Sequence, residues 1–227
     1  MPAFPHEIKK SPEITVPVNG IRVWKATGSM ALAGLLLLLL PGVTLAGPFG
    51  LEMGMTLEQL KKVCSLEKTP LPNYYSTAKV PSPDPLFKGG YRLRVDPDYG
   101  LVEVAAYTEE IKTDIDGTEL KNAFHDLEGK LEKQFGKGEF SDYIDFLFTD
   151  RTEKDPWMMS LADGGRIFST DWKSSDKKPF PKGIYKVRLS GIGRDEGHGI
   201  LVLTYVGNYS FLADDPALKE KLKNIAP

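Results

Sequence analysis

The chain predicts an α+β protein in which helices cover an antiparallel sheet. Two observations lead to this fold class. One is a long amphipathic segment at residues 118–135, whose apolar residues fall on one helical stripe. The other is a series of short segments that alternate apolar and polar residues between turn-forming sequences, as half-buried antiparallel strands do.

The long helix has the clearest pattern in the chain. Asp116 is expected to cap its start, and Gly136 suits a left-handed stop at its end. Its apolar residues recur at spacings of four, three, four and four: Leu120, Phe124, Leu127, Leu131 and Phe135. This stripe predicts one face packed on the sheet and one face in solvent.

Shorter elements complete the prediction. Thr56-Leu57-Glu58-Gln59 has the form of a capping box and predicts a helix to about residue 64. A second helix follows Asp155 as its cap, with Pro156 at the first helical position, and a third spans about residues 216–224. Strands are predicted at about residues 74–80 (an edge strand in a proline-rich loop), 91–95, 101–111, 143–148, 166–172, 184–189 and 199–206.

Two of the predicted hairpins are similar. Residues 91–95 read Tyr-Arg-Leu-Arg-Val and residues 185–189 read Tyr-Lys-Val-Arg-Leu, and each is followed by a turn and an apolar strand. A duplication that gives two similar helix-plus-hairpin halves explains this likeness. So does convergence of two half-buried hairpins on the same alternation, which is the simpler interpretation.

Residues 1–46 are interpreted as an N-terminal extension and signal peptide, and residues 47–227 as a single exported domain. Residues 30–40 are apolar or small, Arg22 and Lys25 precede them, and Thr44-Leu45-Ala46 predicts cleavage between Ala46 and Gly47. The alternative is a single-pass membrane anchor. The uninterrupted run spans only about half of a ~30 Å hydrocarbon core, which favours a cleaved signal and a periplasmic or secreted protein.

Composition narrows the possible partners and cofactors. Residues 47–227 hold 25 Lys or Arg against 29 Asp or Glu, so nucleic acid is not the expected partner. Cys64 is the single cysteine, which excludes an intramolecular disulfide and is expected to be buried. With two scattered histidines after the leader, no metal site or cofactor is predicted.

No motif predicts catalysis. Asp114-Ile115-Asp116-Gly117 resembles part of a calcium-binding loop. When Gly117 is aligned with the invariant glycine of that loop, however, Ala123 takes the last position, where a bidentate carboxylate is needed. Gly191-Ile192-Gly193 is read as a hairpin turn, because no helix follows it as a phosphate loop requires. No serine lies in a G-x-S-x-G motif, which forms the nucleophile elbow of hydrolases. Asp142 and Asp145 are expected at the surface.

Two sets of residues are candidate binding surfaces. Alternation places Arg92, Arg94, Lys186 and Arg188 on the solvent side of their strands, where an acidic partner or lipid head groups would bind. The alternative is a solvated face neutralised by nearby acidic residues such as Glu103 and Glu109. Trp157 and Trp172 are candidates for an aromatic groove, with packing in the core as the alternative.

The segment Phe49-Gly50-Leu51-Glu52-Met53-Gly54-Met55-Thr56 resembles the opening of many small exported bacterial α+β modules, among them β-lactamase-inhibitor-protein-like proteins and small outer-membrane-assembly lipoproteins. Phe135-Gly136-Lys137, Asp155-Pro156-Trp157-Met158, Leu161, Arg166 and Trp172 resemble a family of uncharacterised exported bacterial proteins. The resemblance to the first group implies an antiparallel sheet covered by helices and a role in protein binding, whereas the uncharacterised family has no assigned activity.

The expected function is therefore a non-catalytic binding or interaction module of the bacterial envelope, with an unidentified protein or envelope component as partner. Two alternatives stay open. One is a hydrolase whose Asp, Glu or Ser site is assembled by the fold, and the other is a membrane-tethered structural protein. A cleft lined by perturbed carboxylates would favour the hydrolase, and exposed arginines or aromatic residues on a sheet face would favour binding.

Overall fold

The computed structural model describes residues 47–147, 149–175 and 178–210. These residues form three helices and one antiparallel sheet of nine strands, which confirms the predicted fold class. The helices are α1 (Leu57–Val63), α2 (Thr118–Phe135) and α3 (Trp157–Ala162). The strands are β1 (Glu67–Lys68), β2 (Tyr74–Thr77), β3 (Tyr91–Asp96), β4 (Gly100–Tyr107), β5 (Ile111–Lys112), β6 (Glu139–Ile144), β7 (Arg166–Lys173), β8 (Ile184–Gly193) and β9 (His198–Gly207).

The sheet has the order β1-β2-β3-β4-β9-β8-β7-β6, and β5 pairs with part of β9. The β3–β4 hairpin and the β8–β9 hairpin therefore lie side by side, joined by the pairing of β4 with β9. Each hairpin has a different outer neighbour. Strand β2 pairs with β3, and strand β7 pairs with β8.

The described helices all pack on one face of the sheet. The α2 stripe is buried as predicted, together with Leu60 of α1 and Met158 of α3, against alternate strand residues such as Leu93 and Leu189. Full burial of a side chain of this size contributes about 1.5–3 kcal/mol. The opposite face carries none of the described helices, and we call it the open face.

Two predicted helix caps are wrong. Gly117, not Asp116, is the N-cap of α2, and the Asp114 carboxylate accepts hydrogen bonds from the backbone N–H (2.9 Å) and hydroxyl (2.7 Å) of Thr118. Pro156 is the N-cap of α3, and Asp155 instead accepts from the Thr152 backbone N–H at 2.7 Å. The capping box of α1 is present as predicted.

Several strand boundaries also differ from prediction. The strand predicted at residues 101–111 is two strands, β4 and β5, and β2 ends at Thr77 rather than near residue 80. Strand β6 begins at Glu139, four residues earlier than expected, and ends at Ile144. Strand β8 continues to Gly193 through the residues interpreted as a turn. A Cβ at Gly191 would lie 2.7 Å from the Phe168 ring, and one at Gly193 would lie 2.6 Å from the Ala162 backbone nitrogen. These glycines allow close packing beneath a strand rather than forming a turn.

Several predictions lie outside the described residues: the leader, Ala46 of the cleavage site, position 148 and the helix at residues 216–224. Among the helices that are described, none is long and apolar enough to cross a membrane. Cys64 is buried, as expected, and burial raises the pKa of its thiol.

A candidate interaction surface on the open sheet face

The four cations of the first candidate surface all lie on the open face. Arg92 and Arg94 alternate along β3 with residues of the helix-covered core, and Lys186 and Arg188 do so along β8. Strands β4 and β9 separate the two pairs. With neighbouring strands about 4.8 Å apart, the two pairs are roughly 14 Å apart across the sheet.

The two cations on β8 share one carboxylate as their partner. Asp171 lies directly across from Arg188 on β7, and its oxygens accept from Arg188 Nε (2.6 Å) and Nη2 (2.7 Å). Lys186 Nζ lies 3.0 Å from the same carboxylate. Burial alone would raise the pKa of Asp171, but the two cations hold it below its ordinary value. Both cations therefore already have a carboxylate partner within the protein.

The pair on β3 has different surroundings. Arg94 lies across from Glu103 of β4. Arg92 lies between two tyrosine rings, with its Cζ 5.2 Å from the Tyr74 centroid and 5.7 Å from the Tyr107 centroid. Its Nε is buried without a hydrogen-bond partner, and Arg92 forms no ion pair within residues 47–147, 149–175 and 178–210. A buried donor without a partner costs about 1–3 kcal/mol.

Arg92 borders an open trough of about 740 Å³. The trough runs between β2 and β8, and its lining includes the apolar residues Ile192, Ile200 and Val202. Its charged lining residues are three cations, Lys88, Arg92 and Arg194, and one anion, Glu67. This imbalance gives the trough a net positive charge and favours an anionic occupant.

The other two cations of the trough, Lys88 and Arg194, have no close ion-pair partner among the described residues. Lys88 Nζ lies 3.7 Å from Glu109, and both side chains are more than 60% exposed. Arg194 makes no side-chain hydrogen bond or ion pair with any described residue. Burial raises the pKa of the Tyr107 phenol, and the Arg92 charge partly opposes this effect.

The tryptophans do not form an exposed groove. Trp157 and Trp172 are only 8% and 2% exposed and belong to the core between helices and sheet. Trp172 Nε1 donates to the Gly136 carbonyl at 2.8 Å, and Trp157 packs edge-on against Phe168 with ring centroids 4.9 Å apart. The alternative interpretation, packing in the core, describes both residues.

Two residues of the family resemblance, Trp157 and Arg166, meet in a cluster around the buried Arg166 guanidinium. The Arg166 guanidinium donates to Asp142 at 2.5 Å, to Glu153, and to the Ser160 hydroxyl at 3.1 Å. Trp157 Nε1 also donates to Asp142, at 3.3 Å. Arg166 thus joins β6, β7 and α3, which gives these residues a structural role.

The opening motif is structural in the same way. The Phe49 ring packs edge-on against Phe87 and Tyr91, and Leu51 is fully buried. The Gly54 N–H donates to the Leu101 carbonyl at 2.8 Å, and the Leu101 N–H donates to the Met55 carbonyl at 2.8 Å. The motif fastens the segment before α1 to the start of β4.

Two observations on the described residues concern metal binding and acid–base chemistry. Within that part of the chain no group of three or more His, Cys, Asp or Glu side chains is arranged to hold a metal ion. The described carboxyl groups whose pKa shifts are resolved all have lowered values: Asp114, Glu119, Asp155, Asp171 and Asp195. A carboxyl that acts as a general acid near neutral pH needs a raised pKa.

Sequence reasoning missed the residues that distinguish the two cation pairs. Asp171 lies in a predicted strand, but its pairing with Arg188 depends on which strands are neighbours. Arg194 was assigned to a turn, and Tyr107 was taken only as part of a strand. Comparison of the chain with protein-family models, curated proteins and solved structures found no match. The function must therefore be inferred from the surface itself.

Proposed function

We propose that this protein is an exported, non-catalytic binding module, and that the trough on its open face receives an extended acidic segment of a partner protein. The observation that supports this most directly is Arg92. Its guanidinium is held between two tyrosine rings, its Nε lacks a hydrogen-bond partner, and no described carboxylate pairs with it.

The chemistry of the trough fits an acidic peptide. A carboxylate in the trough would pair with the Arg92 guanidinium in a charge-assisted hydrogen bond, which is stronger than a bond between neutral groups. Between β3 and β8 the same row of the sheet holds Ala105, which is fully buried, and Thr204, a short side chain that lines the trough. The apolar lining near Val202 would contact the intervening side chains of the segment.

The rival function, a hydrolase, has weaker support. Asp142 and Asp171 are the acidic groups most enclosed by cations, and each is occupied by an arginine. The two cations beside Asp171 lower its pKa, which makes it a poor proton donor near neutral pH. The trough, in contrast, has an excess of cations, so binding explains its composition better than hydrolysis does.

Export and an internal duplication are parts of the same proposal. The leader predicts delivery to the periplasm or outside the cell, and the alternative is a membrane-tethered protein. An intact mass that begins at Gly47 would eliminate the tether. The meeting of β4 and β9 at the centre of the sheet is compatible with two related halves, in line with the resemblance to small exported binding modules.

The test uses the protein expressed from its full coding sequence. The probe is a fluorescein-labelled dodecapeptide that alternates glutamate with valine, and its binding is followed by fluorescence anisotropy. Arg92→Gln should weaken binding about tenfold or more, because it removes a charged donor worth about 1.5–3 kcal/mol. Raised salt should weaken binding by the wild type.

The matched control is Arg188→Gln, which makes the same change at the neutralised pair and should alter binding less than twofold. A peptide that alternates glutamine with valine tests the need for charge and should bind weakly. Equal loss in both arginine variants, or equal binding of both peptides, would contradict the proposal.

A further inference from the structure

The two edges of the sheet are built differently. At one edge β1 has two residues, Glu67 and Lys68, both charged and exposed, and Pro70 and Pro72 follow them. Short length, charge and proline are the usual means by which proteins prevent another strand from pairing at an edge. At the other edge, β6 has six residues, lacks proline and pairs with β7 through a regular register.

The β6 edge is also unusually apolar. Phe140 is 47% exposed and Tyr143 is 50% exposed, and the next residues include Phe146 (70%) and Leu147 (89%). These are four of the eleven exposed large apolar residues in the described part of the chain, and they fall within eight positions. Concentrated exposed apolar residues mark interaction sites, whereas isolated ones do not.

Side-chain contacts on the helix-covered side of the sheet hold β6 in place. Asp142 points to the helix-covered side of β6, where the buried Arg166 donates to it at 2.5 Å. Phe140 is on the same side, and its ring centroid lies 5.7 Å from that of Phe168. A preformed edge reduces the ordering cost of binding. In the described residues, no strand pairs with the outer side of β6.

Charge indicates the kind of occupant. Residues 139–150 contain four acidic residues and no Lys or Arg. Asp142 is neutralised by Arg166, but Glu139 has only a 3.6 Å contact with Lys173 between two highly exposed side chains. A pair of that kind contributes about 0–1 kcal/mol. The edge therefore presents apolar side chains in an acidic setting.

We propose that β6 is a second docking site, at which an extended segment with alternating basic and apolar residues adds a strand to the sheet. Main-chain hydrogen bonds to the free side of β6 would supply affinity, and the side chains near Tyr143 and Phe146 would select apolar residues of the segment. This site opposes the trough in charge and lies at a different part of the sheet. It does not depend on the acidic-segment proposal.

The test uses a fluorescein-labelled dodecapeptide that alternates lysine with valine and the full-length protein. Tyr143→Lys should weaken binding about tenfold, because it replaces an aromatic contact with a like charge. Phe146→Lys provides a second variant at a highly exposed position, where folding is not at risk. Tyr185→Lys is the matched control: Tyr185 is 38% exposed on β8, and its replacement should leave binding within twofold.

A peptide that alternates lysine with proline separates strand pairing from simple charge attraction. Its prolines fix φ near −65° and favour polyproline II over a pleated strand, so it should bind at least tenfold more weakly. Arg92→Gln should not change binding of the lysine–valine peptide, which keeps this result separate from the trough.

Equal binding of the proline peptide, or no effect of either lysine variant, would overturn the proposal. So would sedimentation showing that β6 pairs with a second copy of the chain. That result would take the form of a dimer that Tyr143→Lys dissociates and that does not bind the lysine–valine peptide.

Discussion

The β3–β4 and β8–β9 hairpins present equivalent arginines, Arg92 and Arg188, on the same face, yet among the described residues a strand outside the hairpin supplies a carboxylate only to Arg188. Arg188 has Asp171 directly across from it on β7. Arg92 has Ser76 in the corresponding position on β2. The difference shows that the availability of a surface cation is set by the neighbouring strand, which contributes a carboxylate in one case and a hydroxyl in the other.

The largest expected effect comes from removing the carboxylate. Asp171→Asn should lower the free energy of unfolding by about 2–3 kcal/mol, because Lys186 and Arg188 lose a shared, largely buried partner. Ser76→Ala is the equivalent change beside Arg92 and should alter stability by less than about 0.5 kcal/mol. Urea denaturation of both variants measures the contrast, and equal losses would refute it.

Exchanging the neighbours should exchange the behaviour of the two pairs. Ser76→Asp places a carboxylate across from Arg92 and should weaken binding of the glutamate–valine peptide about tenfold by neutralising the trough. Asp171→Asn should strengthen that binding severalfold, because it frees two cations. Ser76→Asn is the uncharged control for the first variant, and anisotropy titration compares all three. Unchanged affinity in Ser76→Asp would mean that Arg92 is not the site of peptide binding.

A smaller effect is expected from pH. The pKa of Asp171 is lowered in the folded protein, so its contribution to stability is complete above its unfolded value, near 3.9. That contribution is lost as the pH falls through the still lower folded value. The stability difference between wild type and Asp171→Asn should therefore be constant from pH 7 to about 5 and shrink towards pH 2. A difference that grows on acidification would have the wrong sign.

The smallest effect should come from the rim of the trough. Lys88 is exposed and makes only a 3.7 Å contact with Glu109. Lys88→Gln should reduce affinity for the glutamate–valine peptide by no more than about threefold, and only at low salt, since exposed charges are screened. Titrations at 20 and 200 mM NaCl test this. A tenfold loss at high salt would move the centre of the site from Arg92 to Lys88.

Local sequence patterns predicted much of the fold. The stripe from Leu120 to Phe135 and the capping box at Thr56 depend on neighbours within four residues, and both were predicted correctly. The cap of α2 was wrong because Asp114 reaches across a turn that Gly117 makes possible. Alternation also placed all four cations on one face.

Long-range pairing could not be predicted in the same way. Whether Arg188 meets Asp171, and whether Arg92 meets Ser76, depends on strand order. Strands β7 and β8 are adjacent in the sheet, and so are β2 and β3, although long loops separate them along the chain. The burial of Trp157 and Trp172 likewise required the packing of α2 and α3 on the sheet. The difference between a free and a neutralised cation is thus a property of the assembled sheet.

The most direct test of this account is an NMR titration that observes the arginine Nε–H groups of the full-length protein as the glutamate–valine peptide is added. Arg92 forms no ion pair with the described residues, so a peptide carboxylate that pairs with its guanidinium should shift its Nε–H resonance with saturation. The Arg188 resonance, fixed by Asp171, should stay in place. Assignment follows from the loss of each signal in Arg92→Gln and Arg188→Gln. A shift at Arg188 with none at Arg92 would contradict the account.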